Sequence, residues 1–360
     1  MKHWTPTHLA QLITSLSAAG YRVLGPQVQD QAIMYADLDD GSALPTGYGD
    51  AQEAGHYRLI QRDDESRFGF NLGPATWKQF LFPPEETIFS VKDGQLRSER
   101  SKPEKMAFIG VRACEMAAIR IQDRVFDQGL PEPGYSARRA RLFLVAVNCS
   151  QAAATCFCDS TGDGPAVRDG ADLVLTEVNP ADPFYLAEAG SKAGEEMLAR
   201  IGGEPATDRE IAAGEAAVER ARQQMSRRLE PAHLGAALLD KLDHPHWHDV
   251  ADRCLACGNC TQVCPTCFCS TSQEQTDPVS LQVNHVRLWD SCFTAGHSSI
   301  SGGVVHESVY SRYRQWLTHK LGSWEAQFGV SGCTGCGRCI TWCPVGIDLT
   351  AEVRRLQETA

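Results

Sequence analysis

The chain has 360 residues, which is enough for about two domains of ordinary size. With 42% hydrophobic and 22% charged residues, its composition is that of a folded globular protein and excludes a disordered one. Lys and Arg number 34 against 45 Asp and Glu, so the formal net charge of -11 does not favour nucleic acid as a partner. No stretch approaches the roughly 20 apolar residues of a spanning helix, and the first residues lack a signal peptide's apolar region. We therefore expect a cytoplasmic protein with no membrane insertion.

The first part of the sequence alternates between strand-like and helical patterns. Residues 115–126 have a helical pattern between two strand-like runs. The alternation predicts an α/β domain at residues 1–205, with a mixed, partly parallel sheet. The strand-like runs are short, apolar and rich in β-branched residues, and they lie at residues 21–26, 31–38, 106–111, 141–147 and 171–178.

The second part has a different composition. Residues 206–245 are rich in Ala, Glu, Arg and Leu, which predicts a helical connector interrupted at Pro231. In residues 246–360 the content of Cys, Gly and Pro rises, and no strand-like run is evident. These residues are expected to form a small, mostly helical domain held together by its ligands.

Cysteine is the most informative residue type in this sequence. The chain has 15 cysteines, an odd number that cannot pair completely. Because thiols stay reduced in the cytoplasm, this content indicates metal binding or catalysis rather than disulfide bonds. The cysteines are clustered along the chain: Cys114; Cys149, Cys156 and Cys158; Cys254, Cys257, Cys260, Cys264, Cys267 and Cys269; Cys292; Cys333, Cys336, Cys339 and Cys343.

Two segments share the spacing Cys-x2-Cys-x2-Cys-x3-Cys-Pro, which is typical of bacterial ferredoxins with two 4Fe-4S clusters. Three thiolates on one tight loop bind one cluster, and the fourth thiolate, in the following helix, reaches the other. The spacing therefore predicts an α+β protein whose α/β domain is followed by a mostly helical, two-cluster ferredoxin-like domain. One cluster is expected at Cys254, Cys257, Cys260 and Cys343, and the other at Cys333, Cys336, Cys339 and Cys264.

Structural zinc is the alternative for these two segments, since zinc also binds Cys-x2-Cys pairs. Zinc needs only two pairs for each site, however. Each segment here carries a third and a fourth cysteine at the ferredoxin offset before a proline, which favours iron–sulfur clusters.

A third metal site is predicted in the α/β domain. Cys114 and Cys149 each follow a strand-like run, and open α/β sheets bind ligands at the carboxyl ends of their strands. Cys156 and Cys158 come next along the chain. We expect these four thiols to bind a third 4Fe-4S cluster; the alternative is that they are small, buried apolar residues.

Three cysteines are left over by these assignments, namely Cys267, Cys269 and Cys292. One of them could replace Cys114 as the fourth ligand of the third cluster, or all three could bind nothing. They lie in or beside residues 265–332, which separate the two ferredoxin-like runs. We interpret this segment as an insertion that covers the clusters and contacts a partner, with ordinary scaffold as the alternative.

Motifs for nucleotide binding are absent from the sequence. It contains neither GxxxxGK[ST] nor a GxGxxG that follows a strand, so neither ATP nor a dinucleotide has an evident phosphate-binding loop. Ser, His and Asp are plentiful, but they do not form a recognisable catalytic motif of a hydrolase.

Several blocks, in this order, resemble one protein family over residues 105–350. The blocks are FIGVRACEMAAIRIQDRVF, VNCSQAAATCFC with STGDGP, CLACGNCTQVCPTCFC, LWDSC, RYRQWLTHK and GCTGCGRCITWCPVGIDL. They resemble the beta subunit of cytosolic NAD(P)-linked nickel–iron hydrogenases, the sulfhydrogenases, and the similar electron-transfer subunit of anaerobic sulfite reductase. The family pattern GVRPC followed by Asp is replaced here by one with Ala113 and Glu115 around Cys114.

The resemblance implies a subunit that transfers electrons and makes or breaks no bonds of a substrate. Its implied partners are a flavin subunit that binds NAD(P) and the hydrogenase small and large subunits or, alternatively, a sirohaem sulfite reductase subunit. A function of another class stays open: a redox enzyme in its own right, with flavin or substrate bound at the strand ends of the α/β domain.

Overall fold

The computed structural model describes residues 1–98, 103–127, 129–230 and 234–358. In these parts of the chain, no helix combines the length and the apolar character needed to cross a membrane. The strands are β1 (Lys2–Trp4), β2 (Arg22–Gln29), β3 (Ala32–Asp37), β4 (Tyr48–Glu53), β5 (His56–Gln61), β6 (Glu85–Lys92), β7 (Gln95–Ser98), β8 (Met106–Arg112), β9 (Leu142–Val147), β10 (Leu173–Val178), β11 (Phe184–Ala189), β12 (Glu204–Pro205), β13 (Ser270–Thr276), β14 (Val283–Trp289), β15 (Ser299–Ile300) and β16 (Gly303–Val304).

Helices occur along the whole described chain, between and after these strands. A short 3-10 turn lies at Gly41–Ala43 and a π-helical turn at His319–Ser323. The α-helices are α1 (Pro6–Ala18), α2 (Lys78–Leu81), α3 (Ala113–Asp127), α4 (Pro133–Arg139), α5 (Cys158–Thr161), α6 (Lys192–Ile201), α7 (Asp208–Gln224), α8 (Leu234–Leu239), α9 (His246–Arg253), α10 (Asn259–Gln262), α11 (Val309–Thr318), α12 (Trp324–Phe328), α13 (Arg338–Thr341) and α14 (Leu349–Glu358).

An eight-stranded sheet organises the first part of the molecule, in the order β12-β1-β11-β10-β9-β8-β2-β3. Strands β2, β8, β9 and β10 pair in parallel, and the strands on either side of them are antiparallel. Every residue of β8 is buried, as expected for a central parallel strand covered on both faces. The partly parallel sheet that the sequence predicts is confirmed.

Each face of this sheet has its own apolar core, because side chains alternate along a strand. Ala107 and Ile109 of β8 belong to the core that contains Leu12 of α1. Phe108, between them, belongs to the core that contains Met116 of α3. Helix α3 is thereby fixed to one face directly after the carboxyl end of β8.

A bulge lies near the end of β8. The pairing register with β9 shifts between Ile109 and Val111, and Gly110 between them has a φ of 88°. A Cβ atom at Gly110 would lie 3.1 Å from the ring of Phe68. Bulges of this kind occur next to functional sites because they redirect the chain that follows. Here the following residues lead directly to Cys114.

Strands also occur in the cysteine-rich part, so the prediction that residues 246–360 contain no strand is wrong. Strands β13 and β14 pair with each other, and β14 pairs with β6, in the four-stranded order β13-β14-β6-β7. Strand β13 has the polar sequence STSQEQT and is largely exposed, so it lacks the apolar alternation that identifies a strand. This sheet joins residues 85–98 to residues 270–289. The domain boundaries expected near residues 205 and 245 stay predictions.

Helices α7 and α8 occupy the predicted connector. Helix α7 begins with a capping box: the Thr207 backbone N–H donates to Glu210 Oε2 at 2.8 Å, and the Glu210 N–H donates to Thr207 Oγ1 at 3.3 Å. The chain then leaves the helical conformation at Met225. Pro231, where an interruption is expected, lies outside the described residues.

Candidate iron–sulfur centres

The first predicted ligand set lies around one cavity. Cys254 ends α9, and Gly258, with a φ of 73°, begins α10 two residues before Cys260. The cavity wall also includes Tyr313 and Trp316 of the segment between the two runs. The structure thus brings the fourth cysteine of the second run to the loop of the first run. Five cysteines line the cavity: the predicted set Cys254, Cys257, Cys260 and Cys343, and Cys339 of the second run.

Backbone N–H groups point at thiols of this first set. The Ala256 N–H donates to Cys254 Sγ at 3.4 Å, and the Ile347 N–H donates to Cys343 Sγ at 3.3 Å. Such N–H···S contacts stabilise thiolates and adjust the potential of a bound cluster. Burial raises the pKa of Cys260 well above its ordinary value, and the charges of neighbouring thiolates raise it further. Four adjacent thiolates therefore need a compensating cation, which the irons of a cluster supply.

The second predicted set surrounds the loop of the second run. Burial raises the pKa of Cys333 to about 12 and the pKa of Cys336 to about 11. Burial also raises the pKa of Cys339, and the charges of Cys333, Cys336 and Cys264 raise it further because these thiols lie close by. Lys320 donates both to Cys264 Sγ, at 3.4 Å, and to the Gly332 carbonyl, at 3.0 Å, so Cys264, the last cysteine of the first run, lies beside the second run's loop.

A buried lysine accompanies the second set. The Lys320 ammonium donates to Cys264 Sγ at 3.4 Å and to Thr266 Oγ1 at 2.9 Å. A hydrogen bond from Cys267 lowers the pKa of Cys264, and the Lys320 charge lowers it as well. Lys320 is a functional candidate that sequence reasoning did not single out: it ends the block RYRQWLTHK, in which no ligand spacing marks it.

The loop of the second run contacts the segment that carries the third set. The Phe157 N–H donates to the Gly335 carbonyl at 2.9 Å. Gly335 has a φ of 65°, and a Cβ atom there would lie 2.5 Å from the Cα atom of Cys158. Gly337 approaches Thr155 equally closely, since a Cβ atom at Gly337 would lie 2.4 Å from the Thr155 carbonyl oxygen. Glycine is needed at both positions so that the two cysteine-bearing segments can touch.

The four thiols predicted for the third cluster lie together. Cys114 begins α3, and its thiol is hydrogen-bonded to the thiol of Cys158. Burial raises the pKa of Cys156, and the charges of Cys114 and Cys149 raise it further. Burial also raises the pKa of Cys149 to about 11. Cys114 and Cys149 follow the carboxyl ends of two parallel strands, and all of the set except the partly buried Cys149 is buried. This donor set fits a cluster as the first two sets do.

A buried ion pair connects the helix that carries Cys114, in the third set, with the loop of the second run. Arg338 of α13 donates to Glu115 of α3 at 2.6 Å, and both side chains are 1% exposed. The hydroxyl of Tyr35 and the indole N–H of Trp77 also donate to Glu115, at 3.0 and 3.1 Å. Arg338 additionally donates to the carbonyl of Gly73. Glu115 stands out in the sequence only as a departure from the family pattern, and no sequence signal identifies its partner.

The three leftover cysteines lie elsewhere, around another cavity that also contacts Lys320. Cys114, and not one of these three, takes the place beside Cys158. Among the described residues, no three His, Cys, Asp or Glu side chains are close enough to hold a single metal ion. A cubane keeps its four thiolate ligands farther apart than a single tetrahedral ion does.

Comparison with known proteins agrees with this geometry. Residues 253–347 match the family model of the 4Fe-4S dicluster domain. The chain is 28% identical over 317 residues to sulfhydrogenase 2 subunit beta of Pyrococcus furiosus, in an alignment that covers 86% of this chain and 92% of that protein. No solved structure matches the chain. The chain therefore carries a C-terminal 4Fe-4S dicluster domain, and its similarity to a sulfhydrogenase beta subunit supports the family relationship that the sequence blocks indicate.

Proposed function

We propose that this protein is the electron-relay subunit of a redox complex. Its clusters pass single electrons between a flavin subunit that oxidises NAD(P)H and the small and large subunits of a nickel–iron hydrogenase. Two clusters are held by Cys254, Cys257, Cys260 and Cys343 and by Cys333, Cys336, Cys339 and Cys264. A third cluster is held by Cys114, Cys149, Cys156 and Cys158.

The observation that carries this proposal is the continuous row of the three cysteine sets. Cys339 of the second set lines the same cavity as the four thiols of the first set, so these two sets are adjacent. A Cβ atom at Gly335, next to Cys336, would lie 2.5 Å from the Cα atom of Cys158, so the second set adjoins the third. Direct contact between the loops, at Gly335 and Phe157, keeps the second and third sets adjacent. Electron transfer between clusters requires such short separations, whereas clusters with a purely structural role do not.

One end of the row reaches the protein surface. Cys257 is exposed, and the apolar side chains of Leu255 and Val345 beside it are 63% and 40% exposed. We assign this face, Leu255 with Val345, to the docking of one partner subunit, because apolar side chains in the centre of an interface exclude water between the redox centres. The partner's own centre then approaches the first cluster from this side.

Two observations support the roles that we assign to the partner subunits: the sequence has no dinucleotide-binding loop, and the chain is similar to a sulfhydrogenase subunit. Without a dinucleotide-binding loop in its sequence, the chain depends on another subunit for the nicotinamide. The relative is named as a sulfhydrogenase subunit, which favours a hydrogenase module over a sirohaem sulfite reductase as the second partner. When bound, the clusters supply reversible one-electron carriers, and the protein binds them, separates them from water and adjusts their potentials.

The experiment is the anaerobic purification of the full chain, alone and in its complex. Iron and acid-labile sulfide should each reach at least about twelve per chain, which is four for each of the three sets, and Cys114→Ala should lower iron by about four. The complex should reduce an acceptor with NAD(P)H, whereas the chain alone should not. A bound flavin, or NADH oxidation by the chain alone, would contradict the relay and support an enzyme in its own right.

A further inference from the structure

A second cysteine-lined cavity lies beside the second set. Its volume is about 330 Å³. Its wall contains the thiols that the ferredoxin-like runs and the third set do not use, together with the imidazoles of His297 and His319 and the Lys320 ammonium. The lining residues that carry these groups are Cys267, Cys269, Cys292, His297, His319 and Lys320.

The segment that supplies two of these thiols repeats a segment of the third set. The sequence Thr-Cys-Phe-Cys occurs at residues 155–158 and again at residues 266–269. Both copies contact the loop of the second run. The Phe157 N–H donates to the Gly335 carbonyl at 2.9 Å, and Thr266 Oγ1 donates to the Gly332 carbonyl at 2.7 Å. The two copies thus contact the same loop through different groups and at different residues, and the second copy carries its two thiols beside a cavity.

A strand pair brings the third thiol to the same place. Ser270 at the start of β13 pairs with Trp289 at the end of β14. The chain continues through Asp290, whose N–H donates to the Cys269 carbonyl at 2.9 Å. This arrangement holds the thiols of Cys269 and Cys292 within hydrogen-bond contact of each other.

Two buried ammonium groups near the cavity favour an anion beside them. Lys320 and Lys78 are only 3% and 6% exposed. The Lys320 ammonium contacts a thiol, a hydroxyl and a carbonyl, and the Lys78 ammonium contacts the Cys267 carbonyl at 3.0 Å and the Trp289 ring at 3.8 Å. Among the described residues, neither ammonium is paired with a carboxylate. Because a buried ammonium without an anion is strongly unfavourable, these lysines indicate anionic sulfur ligands beside them.

We propose that Cys267, Cys269 and Cys292 hold a further iron–sulfur cluster, with His297 as its fourth ligand. His297 lines the cavity, and its Nδ1 atom lies 3.9 Å from Asp290 Oδ2. This distance is longer than a hydrogen bond, but the Asp290 carboxylate lies on the Nδ1 side of the ring, which leaves Nε2 for the metal. The other histidine on the cavity wall, His319, has its Nε2 atom at 3.2 Å from Gln327.

The role of this cluster rests on the proposed function. It gives the second set another neighbour, since Cys267 is hydrogen-bonded to Cys264. The row of clusters then has a branch at the second set, and electrons can leave it through the cavity as well as toward the first or third set. Lys320 lies between the second set and the branch, where its charge favours the reduced form of either cluster.

The test compares the anaerobically purified full chain with two variants. The unaltered chain should contain about sixteen irons, and the double variant C269S/C292S should contain about twelve. The matched control is Ser298→Ala, a change on the same cavity wall that removes no thiol. The paramagnetic signals of the other reduced clusters should persist in both variants.

Several outcomes would overturn the proposal. These are about twelve irons in the unaltered chain, zinc in place of iron, or a Cys269–Cys292 disulfide found by mass spectrometry in the anaerobic protein. The ligand role of His297 has its own readout: His297→Cys should keep the iron and change the spectrum, whereas an unchanged spectrum would remove His297 from the ligand set. A chain that contains no iron at all would contradict the proposed function itself.

Discussion

The two ferredoxin-like runs have the same cysteine spacing but lie in opposite surroundings. In the first run Cys257 is exposed and Leu255 beside it is 63% exposed. In the second run Cys333 and its neighbour Thr334 are buried, the latter with 2% exposure. The spacing is set by the cluster, whereas the surroundings decide whether that cluster faces a partner or another cluster of the same chain.

The residue before the second cysteine of each run shows this difference most clearly. It is Ala256 in the first run, with a φ of 51°, and Gly335 in the second, with a φ of 65°. Both loops need the left-handed conformation, so loop geometry alone does not require glycine. The second loop requires it because the segment around Cys158 lies directly against it. A close approach, and not the turn, selects the glycine.

The largest effect is expected when a methyl group is placed at this contact. Gly335→Ala puts a Cβ atom 2.5 Å from the Cα atom of Cys158, so the two segments must separate. We expect loss of the second and third clusters, about eight irons per chain. Iron analysis and the spectrum of the reduced protein measure this loss.

The matched change in the first run is Ala256→Gly. It removes a methyl group that the first loop already accommodates at a positive φ, and it should leave the iron content unchanged. If Gly335→Ala also kept its full iron content, the second and third sets would not be in contact.

A smaller loss, of one cluster, is expected from Cys343→Ser. Because Cys343 lies with the thiols of Cys254, Cys257 and Cys260, its removal should damage the cluster of the first run. About four irons should be lost, and the cluster of the second run should remain.

The control for crossed ligation is Cys264→Ser, which should give the reverse pattern. Selective loss of the second run's cluster in the Cys343→Ser protein would show that each run binds its own fourth cysteine. Spectra of the two reduced variants distinguish these results.

The stability of the second run depends on an anchor that the first run lacks. The residue before the third cysteine is Arg338 in the second run and Asn259 in the first. Glu115→Gln leaves the buried Arg338 guanidinium without its carboxylate, which should destabilise the fold by about 3–5 kcal/mol. Guanidinium unfolding under nitrogen measures this change.

Asn259→Ala is the comparison in the first run, where the side chain is only half-buried and donates to the Trp342 carbonyl. Its loss should cost about 0.5–1.5 kcal/mol, as for a typical hydrogen bond. Equal effects of the two variants would mean that the ion pair contributes little to holding α3 and α13 together.

The smallest effect on the protein itself is expected at the exposed end of the row. Leu255→Asp should leave iron content and stability unchanged but slow electron exchange with the partner subunit, because it places a charge on the docking face. Leu96→Asp, at a residue of β7 that is 70% exposed, is the control. If the two variants exchanged electrons at the same rate, this face would not be the docking face.

Much of the fold could be predicted from local patterns. Strands β8, β9 and β10 have short, mainly apolar sequences, and α3 has apolar residues at helical spacing. The structure confirms these elements. Strand β13 could not be found, because an exposed edge strand has no apolar alternation. The pairing of β14 with β6 joins distant parts of the chain and leaves no local signal.

The candidate sites likewise contain features that local sequence predicts and features that it does not. Cysteine spacing predicts ligand sets because a cluster imposes it, and the structure brings each predicted set together. The Glu115–Arg338 pair and the position of Lys320 depend on which segments meet in the folded protein. No spacing rule connects residues so far apart in sequence, so these contacts could be recognised only in three dimensions.

The most direct test is low-temperature paramagnetic resonance of the anaerobically purified chain, before and after reduction with dithionite. The account predicts a brown protein whose broad visible absorbance bleaches on reduction and whose reduced form shows signals of several interacting 4Fe-4S clusters. A colourless protein, properly matured, without a paramagnetic signal after reduction would contradict it.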